Sequence, residues 1–176
     1  MTRILVVDDE PDLLGFVRSA LEAEGFHVIT ATDGTEGLRL ALTTKPDLVI
    51  LDLLMPGLDG QAVLTALLTH DRSTRILVLS ATEDRQVRVT CLEQGAVDFL
   101  AKPLNPRVLL SKVSFFVELY RNKEQLRTDR AFLAAVLEAV EDGIVACGPD
   151  GTLTLFNRAT REMHGLPVEP LPPERW

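Results

Sequence analysis

Cysteine is scarce in this chain of 176 residues, which has only Cys91 and Cys147. Their spacing fits neither a thiol metal site nor a disulfide framework, so we expect two free thiols in a reducing compartment. Long apolar runs are also missing. None approaches the ~18 residues of a membrane-spanning helix, and the apolar run at the amino terminus stops at Asp8, too early for a signal peptide. These absences predict a cytoplasmic protein with no membrane partner.

An excess of basic residues is absent too, since 18 Lys and Arg stand against 26 Asp and Glu, a net charge of −8. This balance argues against nucleic-acid binding by bulk charge. The charge is uneven, with net values of −7 over residues 1–104, +3 over 105–130 and −4 over 131–176. We interpret the middle segment as a helical connector with a solvated or paired face, rather than a nucleic-acid helix, and expect no direct nucleic-acid binding.

Short apolar runs alternate with helical patterns over the first 104 residues. The runs predict five strands, over residues 4–7, 26–31, 48–51, 76–79 and 97–101. Helical spacing predicts helices over 12–24, 35–43, 60–69 and 84–94, and a fifth after Asn105, an N-cap followed by Pro106. The alternation predicts a doubly wound α/β sandwich with a parallel sheet, where ligands bind beyond the carboxyl ends of the strands.

Polar residues stand at the ends of four of these strands. Asp8 and Asp9 follow the first, Asp52 the third, Ser80 the fourth and Lys102 the fifth. Each alone is an ordinary cap or loop residue, but together they bring acids, a hydroxyl and an ammonium group to one sheet edge. Clustered acids need a cation, and oxygen ligands without Cys or His favour Mg²⁺. An Asp carboxylate beside Mg²⁺ and Lys suits attack on a phosphoryl group.

The motifs around these residues resemble the receiver domain of bacterial two-component response regulators. They are VVDDE at 6–10, DLLMPGLDG at 52–60, LSA at 79–81 and DFLAKP at 98–103. The resemblance covers about residues 1–122. It implies a flavodoxin-like fold, a five-stranded parallel sheet in the order 2-1-3-4-5.

The resemblance also implies how the chain handles phosphate. Asp52 is the implied phosphoacceptor, and a sensor histidine kinase is the implied phosphodonor. The implied Mg²⁺ ligands are Asp9 directly, Asp8 largely through water, Asp52 itself and the backbone carbonyl of Leu54. The chain is expected to be no enzyme beyond catalysing its own phosphorylation and dephosphorylation.

Further roles follow from the same resemblance. Lys102 pairs with a phosphoryl oxygen, Ser80 bonds the phosphoryl group and moves toward it, and Phe99 turns inward with it. The bond before Pro103 is expected to be cis. The rearrangement is expected to pass through the long helix to a downstream output.

The fifth helix is predicted to continue beyond the receiver as a linker over residues 106–140, because no Pro or Gly follows Pro106 until after Val140. A helix of this length is ~50 Å long, too long for its own domain to cover. Leu119, Leu126, Leu133 and Val140 recur every seven residues. If these are d positions, the a positions are Leu109, Phe116, Lys123, Arg130 and Leu137. This pattern predicts a parallel coiled-coil homodimer, and the alternative is an amphipathic helix packed on its own domain.

The last segment, 141–176, resembles the opening of a PAS domain. The motifs that carry the resemblance are DGIV at 142–145, DG at 150–151, FNRA at 156–159 and MHG at 163–165. Two strands and a short helix cannot close a sheet core. We therefore expect an incomplete PAS-like domain from a longer signalling protein, with an output such as a histidine kinase or a diguanylate cyclase.

A phosphorylation switch is the function that these expectations favour. The alternative is a phosphorylation-independent dimerisation and scaffolding module with a vestigial site. A phosphatase with an aspartate nucleophile is disfavoured because Leu54 stands where such enzymes usually place a second acid. A transcription factor is disfavoured because no helix-turn-helix pattern follows residue 122.

Overall fold

A computed structural model describes residues 2–81 and 85–166, without the side chain of Arg85. The chain forms two compact units, Met1–Leu119 and Tyr120–Trp176. The strands in the described residues are β1 (Arg3–Val7), β2 (His27–Ala31), β3 (Leu48–Asp52), β4 (Ile76–Ser80), β5 (Asp98–Ala101), β6 (Val145–Cys147) and β7 (Leu153–Phe156). The helices there are α1 (Pro11–Ala23), α2 (Gly34–Thr44), α3 (Gly60–His70), α4 (Arg85–Gln94), α5 (Pro106–Ala139) and α6 (Arg158–His164). Residue 84 of the predicted fourth helix and 167–176 of the PAS-like segment lie outside the described residues.

The first unit is built on a parallel sheet in the order β2-β1-β3-β4-β5, which confirms the predicted architecture and strand order. The register places Val7 beside Leu51, and Asp52 beside Leu79. Because all neighbouring strands are parallel, their carboxyl ends meet at one edge, and that edge carries the candidate site.

The two faces of the sheet bury alternate residues of the same strands. In β1, Leu5 and Val7 pack on the face covered by α2, α3 and α4, while Ile4 and Val6 pack toward α1 and α5. The same alternation holds in β3 and β4. Burial on both faces explains why these strands are continuous apolar runs rather than alternating ones.

The predicted N-cap Asn105 is confirmed, and other helix starts use similar chemistry. Pro11 is the first residue of α1, and the Asn105 carboxamide oxygen accepts a hydrogen bond from the Arg107 backbone N–H at 3.0 Å at the start of α5. The Asp33 and Asp59 carboxylates cap α2 and α3, accepting from backbone N–H groups at 2.9 and 2.7 Å. No helix in the part of the chain that the structure describes is long and apolar enough to cross a membrane.

The α5 helix has 34 residues and ends at Ala139, one residue before Val140. Leu109 is fully buried, and Phe116 packs against the same core, between the sheet and α1. These two predicted a positions therefore belong to the core of the first unit, which corrects the predicted coiled-coil seam at its amino-terminal end.

Two glycines allow the backbone to pass close to the edge of the sheet. A Cβ on Gly60 would lie 1.9 Å from the Asp52 carbonyl oxygen, and one on Gly34 would lie 2.1 Å from the Leu58 carbonyl oxygen. Both obstacles are backbone atoms, which cannot rotate away. The start of α3 is therefore held against the end of β3, which fixes the loop that follows Asp52.

Replacing Gly60 with Ala is expected to destabilise the first unit by about 2 kcal/mol or more, because the methyl group must displace backbone. Gly15→Ala is the matched control. Gly15 is exposed within α1, and its added Cβ meets nothing within 4 Å. That variant is expected to gain up to about 1 kcal/mol. Urea unfolding followed by circular dichroism measures both, and equal stabilities would contradict the close approach.

In the second unit, β6 and β7 pair as antiparallel strands and α6 follows them. The buried Asn157 side chain joins its segments. Its oxygen accepts hydrogen bonds from the backbone N–H groups of Ile144 and Thr160 at 2.9 and 3.1 Å. Its amide nitrogen lies near three carbonyl oxygens at and beyond the end of α5, those of Leu137, Val140 and Asp142 at 3.2, 3.1 and 2.8 Å. One side chain therefore ties the end of α5 to β6 and α6.

Asn157→Ala is expected to destabilise the second unit by about 2–3 kcal/mol, because it leaves buried backbone groups without partners. Hydrogen exchange at the Ile144 and Thr160 amides should accelerate accordingly. Asn157→Asp is the informative comparison, since it keeps the acceptor but loses the donors to the α5 carbonyls. Unchanged exchange in Asn157→Ala would contradict the joining role.

Candidate functional site

The site is assembled by the ends of four strands. Asp8 follows β1, Asp52 ends β3, Ser80 ends β4 and Lys102 follows β5. Backbone hydrogen bonds continue the sheet past the strand ends. The Asp8 N–H donates to the Ala31 carbonyl at 3.2 Å, and the Lys102 N–H donates to the Ser80 carbonyl at 2.9 Å. The sheet ladder itself therefore positions these residues.

The Lys102 ammonium group is the centre of the site. Its Nζ atom lies 2.8 Å from Asp8 Oδ2, 2.8 Å from Asp52 Oδ2 and 2.9 Å from Glu10 Oε1. The Asp8 side chain is 0% exposed and that of Asp52 3%, whereas that of Glu10 is 63% exposed. Three carboxylates face one ammonium group, so the cluster carries excess negative charge when all of them are ionised.

Backbone amides orient both buried carboxylates. Asp8 Oδ1 accepts from the Glu10 N–H at 2.9 Å, and Asp52 Oδ1 accepts from the Leu54 N–H at 3.2 Å. The second oxygen of each group is thereby directed to Lys102. The turns after β1 and β3 hold the acids in place before any ligand binds.

Burial sets the protonation behaviour of the cluster. Loss of water raises the pKa of Asp8, and the Lys102 ammonium offsets this only in part. Burial would lower the pKa of Lys102, but hydrogen bonds and charges from Asp52, Asp8 and Glu10 outweigh it and raise that pKa. The lysine is therefore held firmly in its charged form, while burial makes ionisation of Asp8 costly.

The carboxylates fit a hard divalent cation. Among the described residues, the buried Asp8 Oδ2 atom is paired with Lys102 alone. Ligand oxygens of Asp8, Glu10 and Asp52 lie within 4.8 Å of one another. Such all-oxygen sets suit Mg²⁺. In the described part of the chain this group does not include Asp9, which the resemblance implied as the direct ligand.

Glu10 is the site residue that the sequence reasoning missed. The signal was present, because Glu10 directly follows the acid pair in VVDDE. The missing information was the direction of its side chain, which depends on the conformation of the turn between β1 and α1. Only the fold shows that Glu10 reaches Lys102.

The remaining predicted residues surround this cluster. Ser80 is buried at the end of β4, and the Leu54 side chain is exposed. The half-buried Phe99 ring has the Arg88 guanidinium carbon 4.6 Å from its centroid and Lys112 Nζ 5.7 Å from it. Cations at such distances interact favourably with an aromatic face.

Two neighbouring features complete this side of the site. Lys112 also forms an ion pair with Asp98, the residue before Phe99. The Lys102–Pro103 peptide bond is cis, as the resemblance implied.

This doubly wound sheet, with buried acids and a lysine at its carboxyl edge, defines an α/β domain of the receiver class. Residues 4–114 match the family described as the response regulator receiver domain. The chain therefore belongs to the response regulator receiver domain family, the receiver domains of two-component systems.

Similar proteins and structures agree with this placement. The chain is 46% identical over 111 residues to the transcriptional regulatory protein PrrA of Mycobacterium leprae, covering 63% of this chain and 48% of that protein. The receiver domain of the Francisella response regulator 1452 is 29% identical with a TM-score of 0.65, covering 68% of this chain and 99% of that one. CheY in the CheX–CheY–BeF3–Mg²⁺ complex of Borrelia burgdorferi gives 32% identity and a TM-score of 0.62, covering 64% of this chain and 86% of that one.

The chain spans about half the length of the curated relatives it matches. One of them, MtrA of Mycolicibacterium smegmatis, is named a DNA-binding response regulator, with 38% identity over 70% of this chain and 53% of that protein. Such names conflict with our expectation of no direct nucleic-acid binding, which rested on the charge balance of this chain.

Asp8→Asn is expected to stabilise the metal-free protein at pH 7. Because the folded-state pKa of Asp8 is raised, the folded state binds the proton more tightly than the unfolded state does. Wild-type stability therefore falls as the pH rises from the unfolded value of 3.8 through the folded value. The variant lacks this loss, so its advantage should vanish in acid.

Chemical unfolding with a chelator across this pH range measures the difference. Asp9→Asn is the matched control, because Asp9 lies outside the clustered group among the described residues. A wild type that is more stable than Asp8→Asn at pH 7 would contradict the cost of ionising the buried Asp8 carboxyl group.

Proposed function

We propose that this chain accepts a phosphoryl group on Asp52 from a sensor histidine kinase, in a Mg²⁺-dependent reaction of a two-component phosphorelay. Membership of the receiver family supports a signalling role. The single observation that carries the assignment of Asp52 is its contact with Lys102, 2.8 Å from a buried carboxylate at the end of β3.

Asp52 is suited to be the nucleophile. In the proposed step an Asp52 carboxylate oxygen bonds to phosphorus, and the bond between phosphorus and the donor breaks. In this proposal Lys102 neutralises an added phosphoryl oxygen, and Ser80 donates a hydrogen bond to the phosphoryl group. Phosphoryl transfer needs mainly such positioning and charge compensation. This scheme makes the chain a signalling receiver that acts only on its own phosphorylation state.

For the metal, we propose Asp8, Asp9, Asp52 and the Leu54 backbone carbonyl as the groups that hold Mg²⁺. The close grouping of the buried Asp8 and Asp52 carboxylates, with one ammonium group between them, supports this assignment. When bound, the ion supplies positive charge that neutralises the transferring phosphoryl oxygens. Glu10 adds a carboxylate at the exposed rim of the same group.

For the output, we propose that Ser80 and Phe99 rearrange on phosphorylation and that α5 relays the change. Phosphate can bias such a switch only through contacts that differ between the two states. Phe99 lies where this is feasible, since its half-buried ring contacts both Arg88 of α4 and Lys112 of α5. We further propose that residues 141–176 begin a PAS-like domain, a reading supported by β6, β7 and α6.

We also propose a homodimer through α5. The side chains of Leu119, Leu126 and Leu133 are 46%, 52% and 58% exposed within one copy. Large apolar side chains repeated on one helix side indicate a partner.

Intact mass spectrometry after incubation with acetyl phosphate and Mg²⁺ tests the phosphoacceptor. One phosphoryl adduct is expected on the wild type and on the Asp71→Ala variant, because Asp71 is exposed and lies outside the acidic cluster of the described residues. No adduct is expected on Asp52→Ala, because the nucleophile is gone.

An adduct on Asp52→Ala would contradict the assignment. If the wild type gains no adduct and beryllofluoride also fails to bind, the alternative of a phosphorylation-independent scaffold is supported instead. Binding of beryllofluoride without an adduct indicates a phosphate that is lost quickly.

A further inference from the structure

The distal part of α5 is uncovered within one copy of the chain. Every residue from 121 to 136 is exposed. Among them are three large apolar side chains besides Leu126, which are Phe132, Leu133 and Val136 at 66%, 58% and 44% exposure. Helices owe most of their stability in water to the packing of an apolar face. This stretch therefore needs a partner along its length.

Exposure distinguishes two possible seams through the same leucines. One seam adds Phe116, Lys123, Arg130 and Leu137, but Phe116 packs into the core of the first unit and Leu137 is half-buried. The other adds Phe115, Asn122, Asp129 and Val136, all of which are exposed. The second seam is thus the one that a partner can reach along its whole length.

We propose that α5 pairs with α5 of a second copy as a parallel two-stranded coiled coil along this second seam. Its a positions are Leu119, Leu126 and Leu133, and its d positions are Phe115, Asn122, Asp129 and Val136. Val140 closes the seam just beyond the helix end. The proposal rests on the homodimer proposed above and specifies its register and direction.

Charge complementarity selects the parallel direction. In parallel pairs a g residue meets the e residue five positions later on the other helix. Glu118 then faces Lys123, Gln125 faces Arg130 and Phe132 faces Leu137. In the described residues of one copy, neither Glu118 nor Lys123 has an ion-pair partner. In the first seam Lys123 and Arg130 occupy a positions. In this second seam they take e positions beside the core, where they face Glu118 and Gln125 of the other helix.

The polar d positions specify the alignment. Asn122 meets Asn122 of the other copy, and one polar seam residue fixes register at a cost in stability. Asp129 faces Asp129 of the other copy, and the two like charges weaken the dimer. Within one copy Asp129 accepts a hydrogen bond from the Gln125 side chain at 2.8 Å, which satisfies one of its oxygens. The seam therefore favours a defined but reversible dimer.

Disulfide cross-linking in the full chain tests the register. The background is Cys147→Ser, which removes the exposed thiol and leaves the buried Cys91. Asn122→Cys should cross-link at least about tenfold faster than Lys123→Cys, because only seam residues bring Cα atoms within ~7 Å. Leu126→Cys is the positive control, in the seam of either frame, and Thr128→Cys is the outward-facing negative control.

The possible outcomes of these experiments distinguish the register, the parallel direction and the homodimer itself. Faster cross-linking of Lys123→Cys overturns the register and leaves the dimer standing. A dimer by sedimentation in which none of the cysteines cross-links overturns the parallel direction. A monomer by sedimentation overturns the homodimer as well, while phosphorylation of Asp52 is decided independently by the mass measurement.

A charge swap provides a second test. Glu118→Lys and Lys123→Glu should each raise the dimer dissociation constant by about two- to tenfold, and the double variant should restore it. Residues five apart on one helix do not face each other, so recovery reports a contact between helices. Additive losses in the double variant would overturn the proposed pairing.

Discussion

The contact of one ammonium group with three carboxylates is the interaction on which the site depends. Lys102 joins the residues that follow β1, end β3 and follow β5. Its charge makes the burial of Asp8 and Asp52 possible, since an unpaired buried carboxylate is expensive. The single positive charge of Lys102 does not neutralise all three carboxylates. The remaining negative charge favours the binding of a further cation at this edge of the sheet.

This arrangement explains why a stable fold can carry a reactive edge. The sheet continues as backbone hydrogen bonds beyond its strand ends, and amides of Glu10 and Leu54 hold the two buried acids. Gly60 lets α3 start directly against the end of β3. Ligand-binding groups are therefore set before a ligand arrives, which is the condition for charge compensation without reorganisation.

The two halves of α5 serve different purposes. Its first turns bury Leu109, Val113 and Val117 in the first unit. Its later turns show only exposed residues from 121 to 136, and Asn157 holds its end in the second unit. A helix that is core at one end and uncovered further along suits a connector. The proposed seam gives that connector a partner without altering the sheet or its site.

Local patterns were enough to predict the strands, the helices, and the acids, Ser80 and Lys102 at the sheet edge, because periodicity and strand-end position are local properties. The order of strands came from family resemblance and was confirmed by the structure. Long-range contacts were needed to show that Glu10 reaches Lys102, and that Leu109 and Phe116 lie in the core rather than in the coiled-coil seam. Such facts depend on residues distant in sequence, whose contacts no local pattern specifies.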